Sequence, residues 1–415
     1  MRIMYLTQWF EPEPNIVKGL AFVRGLEAAG HEVTVVTGFP NYPTGRLYPG
    51  YRLRILRRET IDGVRIVRLP LYPSHDASSL RRSLNFLSFF VSALVYCLFR
   101  RERFDLAYVY HPPITVGLAA ALAGYVRRLP FMLDVQDLWP DSVAATGMAG
   151  AGRLIGPLRR LCDFVYARAA AIIVQSEGMR RVLIERDVPA KKVTTVRNWA
   201  EAEFHRPLVD DSLREANAGR FMVVYGGNLG RAQALETVID AAAILQQRRD
   251  DIEIVLYGDG VEERSLRDLA ARSSVTNLRF AGRISQPAIM SAFAASDALL
   301  LHLADDPLFA ITIPSKTQFY LAMGRPIVAG VVGEAAELLR DSGAALVVPP
   351  GDAAALAAAI GDLADMPRER REVMGAEGPR FYRGRLSFDR AMARTIGLLE
   401  GIYQGKPGLG PTARP

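Results

Sequence analysis

Three short stretches of this chain combine glycines, cations and carboxylates in patterns that bind anions or move protons. The first is Tyr225-Gly226-Gly227-Asn228-Leu229-Gly230-Arg231, preceded by Val223-Val224 and followed by Ala232-Gln233. A strand running into a glycine cluster and then a helix presents backbone N–H groups and a helix N-terminus to an anion. Arg231, expected at that terminus, would add a charge-assisted contact to a phosphate. The same glycines also suit a tight turn that needs them only for backbone angles. The stretch is neither a Walker loop nor a dinucleotide fingerprint, so both readings stand.

The second is Ile313-Pro314-Ser315-Lys316-Thr317-Gln318. Pro314 suits a helix start, with Ser315 and Lys316 in the first turn. A cation is disfavoured there by the helix dipole unless it faces a bound anion. Lys316 is also the one Lys between 193 and 405 in a chain that otherwise uses Arg. The third stretch is Asp134-Val135-Gln136-Asp137-Leu138-Trp139-Pro140-Asp141, directly after an apolar run. Asp137 there either caps the next helix or addresses a substrate, and capping is a common role for Asp. No D-x-D pair occurs in the chain, the five His show no ligand spacing, and two Cys exclude a zinc cluster and a disulfide framework. Chemistry without a metal or other cofactor is the expectation.

The elements that must position these residues alternate as strand, turn and helix. Strands are expected at Arg2–Thr7, Val33–Val36, Gly63–Leu69, Asp105–Tyr110, Phe131–Val135 and Ala171–Val174. A second series is expected at Phe221–Tyr225, Ile252–Tyr257, Leu278–Ala281, Ala298–Leu301, Pro326–Val331 and Ala345–Val348. Helices are expected at Val17–Ala29, Ala232–Gln247 and Val261–Arg272, among others. This alternation predicts parallel sheets covered by helices on both faces. The polar stretch Glu201–Gly219 breaks the series. The expected architecture is therefore α/β: two doubly wound Rossmann-like domains, residues 1–200 and 201–385, facing a central cleft. Residues 386–415 would form a returning helix and a frayed tail. Ligands in such folds lie beyond the carboxyl ends of the strands.

At 415 residues and 50% apolar composition, the chain has material for two cores, and disordered, collagenous and coiled-coil classes are excluded. The net charge of +7 divides unevenly, with +11 on residues 1–200 and −4 on the rest. A basic first half suits an anionic partner. No secretory signal is expected at the N-terminus, where Met1–Thr7 reads straight into a strand. Residues 83–99, SLNFLSFFVSALVYCLF, are apolar and flanked by Arg81-Arg82 and Arg100-Arg101. A membrane span needs about 20 apolar residues. Asn85, Ser88 and Ser92 form one polar stripe, which predicts a helix with a wet side, either packed on a core or lying in a membrane interface.

With these segments in view, the chain resembles the retaining glycosyltransferases of family four, which have the GT-B fold. More narrowly it is similar to the bacterial aminofucosyl and colanic-acid-type transferases of surface-polysaccharide assembly. The resemblance rests on Gln8–Pro12, Lys18-Gly19-Leu20, Gly30–Val33, Thr37–Pro43, Tyr72–His75, His111–Thr115, Gln136–Pro140, Arg197–Trp199, Gly227–Gly230 and Pro314–Lys316. It implies that the second domain grips a nucleotide-sugar, UDP-linked first and GDP-linked second. Gly227, Asn228, Leu229, Gly230, Pro314, Ser315 and Lys316 would hold the donor, with Tyr257, Gly258, Gly282, Arg283 and Ile284 near the base. It further implies an acceptor site in the first domain, built from Asn15, Lys18, Gly19, His111 and Trp139, with Gln136 and Asp137 positioning the sugar.

Three positions depart from the family pattern. Asn228 and Gln233 stand where a basic pair is usual, so Arg231 would take over. Ile311 and Phe319 replace the usual Glu-x7-Glu pair. Gln136 replaces a catalytic His. Transfer with retention would pass through a glycosyl cation, with Lys316 and Arg231 neutralising the leaving diphosphate. The sugar moved is expected to be a hexose, an N-acetylated amino sugar or a deoxyamino sugar. The expected acceptor is a sugar on polyprenyl diphosphate, which gives a peripheral protein on the cytoplasmic face of the inner membrane, with no nucleic-acid partner. Two other classes compete: a GT-B nucleotide-sugar 2-epimerase, and a non-catalytic sugar-nucleotide binder.

Overall fold

The β-branched runs of the first 200 residues lie side by side in one sheet. The computed structural model of the chain describes residues 1–14, 17–74, 79–141, 151–200 and 219–405. The chain divides into two units, Met1–Arg197 with Asp389–Pro415, and Asn198–Phe388.

In the first unit the elements follow as β1 (Arg2–Leu6), α1 (Leu20–Ala28), β2 (Glu32–Gly38), β3 (Arg57–Ile61) and β4 (Val64–Leu69). Then come α2 (Ser79–Phe99), β5 (Leu106–His111), α3 (Ile114–Arg127), β6 (Phe131–Val135), α4 (Ala151–Arg168), β7 (Ala171–Val174), α5 (Glu177–Glu185) and β8 (Val193–Thr195). The eight strands lie in the order β3-β4-β2-β1-β5-β6-β7-β8. All neighbours are parallel except the β3–β4 hairpin. The chain builds outward from β1 to β4, crosses back through α2, and continues on the other side with β5. The strand order therefore reverses between β1 and β5, the place where open α/β sheets bind ligands.

The second unit contains β9 (Phe221–Gly226), α6 (Glu236–Gln246), β10 (Ile252–Tyr257), α7 (Glu263–Arg272), β11 (Leu278–Gly282), α8 (Gln286–Ala295) and β12 (Ala298–His302). It continues with α9 (Pro307–Ala310), α10 (Ser315–Met323), β13 (Ile327–Gly330), α11 (Gly333–Ser342), β14 (Ala345–Val348), α12 (Ala353–Asp365) and α13 (Arg368–Arg385). Its six strands are all parallel, in the order β11-β10-β9-β12-β13-β14. This sheet reverses between β9 and β12. Its strands are apolar on both faces, as helices on either side require. The last helix, α14 (Phe388–Tyr403), belongs to the first unit.

Several details differ from the sequence expectations. Strands β3 and β8 were not anticipated. Helix α6 begins at Glu236, not Ala232, because a 3-10 turn at Arg231–Gln233 comes first. Helix α1 begins at Leu20, whose N–H is accepted by the Glu11 carboxylate at 2.6 Å. Of the expected linker Glu201–Gly219 all but Gly219, and the frayed tail from 408, lie outside the described residues.

Candidate functional site

The glycine loop leaves β9 and the Pro314–Lys316 segment follows β12, so both come from the strands that flank the second sheet's reversal. The structure brings them into contact. A Cβ on Gly227 would sit 2.4 Å from Lys316 Cε and 2.5 Å from its Nζ, and Gly227 has φ +145°. A side chain at that φ would be strained, and the flexible end of Lys316 would have to move aside for it. Lys316 Nζ donates to the Tyr225 hydroxyl at 2.6 Å and lies 3.9 Å from the centre of the Tyr225 ring. That hydroxyl donates in turn to Asn228 O at 2.7 Å, so the lysine is tied to the glycine loop's own backbone. Burial pulls the Lys316 ammonium down to about 7. Among the described residues its partners are the hydroxyl and the ring of Tyr225, and neither carries the charge that a half-buried cation calls for.

The loops after β9, β10 and β11 pack backbone to backbone. Gly227 N–H donates to Tyr257 O at 2.9 Å, and Gly258 N–H donates to Gly282 O at 2.9 Å. Gly258 has φ +134°, and a Cβ on it would lie 1.8 Å from Gly227 O. Tyr257, Gly258 and Gly282 are thereby tied to the glycine loop. Leu229 is buried and packs into the core. Arg283 is exposed and lies 3.6 Å from Asp259. Ser315 is exposed beside Lys316, and Ile284 and Pro314 are half-buried.

One expectation for this loop needs correction. Arg231 is not at a helix N-terminus; it lies in the 3-10 turn, 90% exposed, with Nε 2.9 Å from Glu262. A salt bridge already claims it. Asn228 and Gln233 are neighbours in space, Nδ2 to Oε1 at 3.4 Å, so amides replace the basic pair as a couple. His302, buried at the end of β12, holds this turn through Nδ1 and Gln233 O at 2.8 Å. Phe319, half-buried, lies in an aromatic cluster with Phe293 and Tyr320.

In the first unit, the segments after β1, β2, β5 and β6 line a cavity of about 390 Å³ walled by Trp9, Tyr42, Tyr110, Pro112, Asp137 and Trp139, with Phe86 contributed by α2. The rings form a chain, Tyr42–Trp9 at 5.5 Å, Trp9–Phe86 at 6.3 Å and Phe86–Trp139 at 6.5 Å between centres. Glu13 fixes one wall, accepting from the N–H groups of Phe10, Asn41 and Tyr42 at 3.2, 2.7 and 2.7 Å. Burial raises its carboxyl to about 7. Asp137 opens to solvent, and its apolar neighbours push its carboxyl above the usual range. Aromatic rings around a single carboxylate suit a sugar, whose C–H face stacks and whose hydroxyls donate.

Three residues expected in this site serve beneath it instead. Lys18 is fully buried, with Nζ 3.3 Å from Asp134 Oδ2, itself fully buried. Asp134 also accepts from the Tyr108 hydroxyl and the Gln136 amide. Gln136, 8% exposed, thus spends its amide on the buried carboxylate. His111 is fully buried behind Trp139, and desolvation lowers it to about 4, so the imidazole is neutral. Gly19 is the buried N-cap position of α1, and Asn15 lies outside the described residues. Sequence reasoning assigned no site role to Trp9, Tyr42 or Phe86, and it named Asp134 and Tyr225 only as members of their stretches. Asp134 carried a signal, a lone charge inside the strand Phe-Met-Leu-Asp-Val.

Comparison with known proteins agrees with this architecture. Residues 20–199 match the glycosyl transferase 4-like domain, and residues 220–366 match the glycosyl transferases group 1 domain. The chain belongs to the family-four glycosyltransferases of the GT-B fold. WcaI of Escherichia coli (strain K12), a glycosyl transferase assigned to colanic acid biosynthesis, is 28% identical over 83% of this chain and 87% of its own. WbjE of Pseudomonas aeruginosa, assigned as a glycosyltransferase, is 25% identical over 64% of this chain and 68% of its own. The crystal structure of Anabaena HepE with UDP and glucose shares the fold, with a TM-score of 0.70 at 16% identity over 97% of this chain and 100% of HepE.

Proposed function

We propose that the enzyme transfers a sugar, with retention, from a UDP-sugar to a sugar carried on polyprenyl diphosphate during surface-polysaccharide assembly. The donor sugar is an N-acetylated amino or deoxyamino hexose on this reading. The observation that carries it is Lys316, a half-buried cation beside Gly227 with only Tyr225 as partner among the described residues. A diphosphate entering the glycine loop would supply the missing negative charge, and Lys316 would stabilise that charge as it grows on the leaving group. The separating phosphate takes the acceptor's proton on the same face, so no protein nucleophile is needed. The aromatic cavity with Asp137 receives the acceptor sugar. Supporting relatives are WcaI, assigned to colanic acid, for the pathway, and HepE, crystallised with UDP, for the carrier.

The test is a thermal-shift panel of nucleotides followed by turnover on the winning donors. Nucleoside diphosphate should be released only when acceptor is present. A sugar change without acceptor would assign an epimerase, and absence of any turnover a binding protein. Lys316→Ala should cut turnover by about 10²–10³, the usual loss for one transition-state partner. A near-normal rate at saturating donor would remove Lys316 from the reaction.

A further inference from the structure

Helix α2 is turned the opposite way from an ordinary surface helix. Its polar stripe faces the protein, not water. Asn85, 2% exposed, donates to Tyr72 O at 2.7 Å and accepts from Gln8 Nε2 at 2.5 Å. The Ser88 hydroxyl accepts from Tyr72 N–H at 2.7 Å, and the Ser92 hydroxyl donates to Pro70 O at 2.7 Å. The outward face is therefore apolar. Leu80, Leu84, Leu87, Val91, Val95 and Phe99 recur at spacings of three and four and are 44–78% exposed. They form one uninterrupted line along a helix about 30 Å long.

Charge of one sign brackets this line. Arg81 stands at its start, and Arg101 and Arg103 are exposed just past its end. Arg127 Nη2 donates to Arg100 O at 3.4 Å, which sets the end of α3 beside the end of α2. There Arg128 is exposed, with Tyr125 and Val126 at 72% and 66%. The nearby carboxylates are already engaged, Glu102 with Arg58 and Asp105 with Arg2.

We propose that the outward face of α2 is the docking surface for an anionic lipid bilayer, with the helix lying in the plane of the interface. A bilayer presents an apolar layer bounded by negative headgroups, the same order that the helix presents in complement. A second copy of this chain would instead bring arginines against arginines. A spanning orientation is disfavoured by the inward bonds of Asn85, Ser88 and Ser92, which it would leave broken in hydrocarbon. The inference rests on the proposed lipid-linked acceptor for its purpose: Phe86, on the same helix, lines the acceptor cavity, so docking would bring that cavity to the headgroup layer.

The experiment is co-sedimentation of the full chain with phosphatidylglycerol-containing or pure phosphatidylcholine vesicles across a salt series. The chain should bind the anionic vesicles at low salt and be partly released as salt rises. Leu87→Asp with Val91→Asp should weaken binding more than tenfold while leaving turnover on a water-soluble acceptor unchanged. Arg101→Gln with Arg128→Gln, which leaves the apolar line intact, should weaken it about tenfold or more. A wild-type chain that ignores anionic vesicles at low salt overturns the proposal. So does a Leu87/Val91 variant that keeps its fold and binds normally, or a dimer in solution that this variant abolishes. Vesicle binding uses neither donor nor acceptor, so the absence of transfer with binding intact would sink the assigned reaction and not the docking.

Discussion

Each unit of this enzyme withdraws a lysine from water, Lys18 fully and Lys316 in part, and the two are held in opposite ways. Lys18 lies fully buried with its ammonium 3.3 Å from the equally buried Asp134 carboxylate, which also accepts from Tyr108 and Gln136. Among the described residues Lys316 has only the Tyr225 hydroxyl and ring as partners, and the end of its side chain lies where a Cβ on Gly227 would sit. In both cases burial favours the neutral amine, and only for Lys18 does a carboxylate oppose it. A paired buried charge is finished structure, whereas a buried cation lacking an anion is prepared for something that arrives later. Burial alone does not separate a structural lysine from a working one. The partner does.

The largest expected effect breaks the structural half of this contrast. Lys18→Met leaves Asp134 as a buried carboxylate without its cation, which should cost about 3–5 kcal/mol of stability at neutral pH. Lys18→Met combined with Asp134→Asn keeps an acceptor for Tyr108 and removes both charges, so most of the loss should return. Denaturant unfolding of the three proteins measures this. A neutral single variant would mean that the pair does not hold the first unit together.

Next in size is the pH dependence of donor binding. With Lys316 near 7 in the free enzyme, the ammonium is present below that pH and must be regained by proton uptake above it. A bound diphosphate favours the charged form. Affinity for UDP should therefore fall by up to about tenfold for each pH unit above 7. Calorimetry in buffers of different ionisation enthalpy should show close to one proton taken up at pH 8 and above. Lys316→Arg, charged throughout, should lose the pH dependence. An unchanged slope in that variant would place the titrating group elsewhere.

How much of this was legible in the sequence follows from how local each signal was. Strand β10, Ile252–Tyr257, and strand β6, Phe131–Val135, were bounded to the residue because a doubly covered strand is a mostly apolar run, broken here by one acid each, Glu253 and Asp134. Strand β3 was missed because Arg-Arg-Glu-Thr-Ile at a sheet edge alternates charges, yet the turn signal was present. Asp62-Gly63 joins it to β4 with φ +49° and +89°, a two-residue hairpin loop that this dipeptide favours. That Lys316 faces an anion was suggested by residue type, and that it shares this anion with the glycine loop by the resemblance. The fates of Lys18, Gln136 and His111 were not legible: a motif marks which positions matter, but not whether a side chain stands in the site or under it. The polar stripe of α2 was read correctly as a stripe and given the wrong direction. Periodicity defines a face, and only the tertiary bonds of Asn85, Ser88 and Ser92 say where it points.

The smallest expected effect sharpens the working half of the contrast. If Lys316 is held ready for a ligand, it should be a burden to the empty fold. A lysine whose folded pKa is lowered leaves the unfolded chain binding more protons between about 7 and its ordinary value near 10.5, so stability rises with pH across that window. Below 7 the lysine is charged in both states and the full cost of burying it remains. Lys316→Met keeps the aliphatic stem and removes the charge. In the absence of donor, the variant should therefore melt about 2–4 °C higher at pH 6, the shift that about 1 kcal/mol produces in a domain of this size. The advantage should shrink at pH 9, where the wild-type lysine is already neutral, and the same variant should be nearly inactive. Such exchanges of stability for function are common where a site is kept in a costly state. Melting curves of the two proteins at both pH values decide it. A variant that melts lower at pH 6 would show that the bond to Tyr225 stabilises the empty fold. Lys316 would then stand with Lys18 as a structural residue, and the glycine loop would need another source of positive charge.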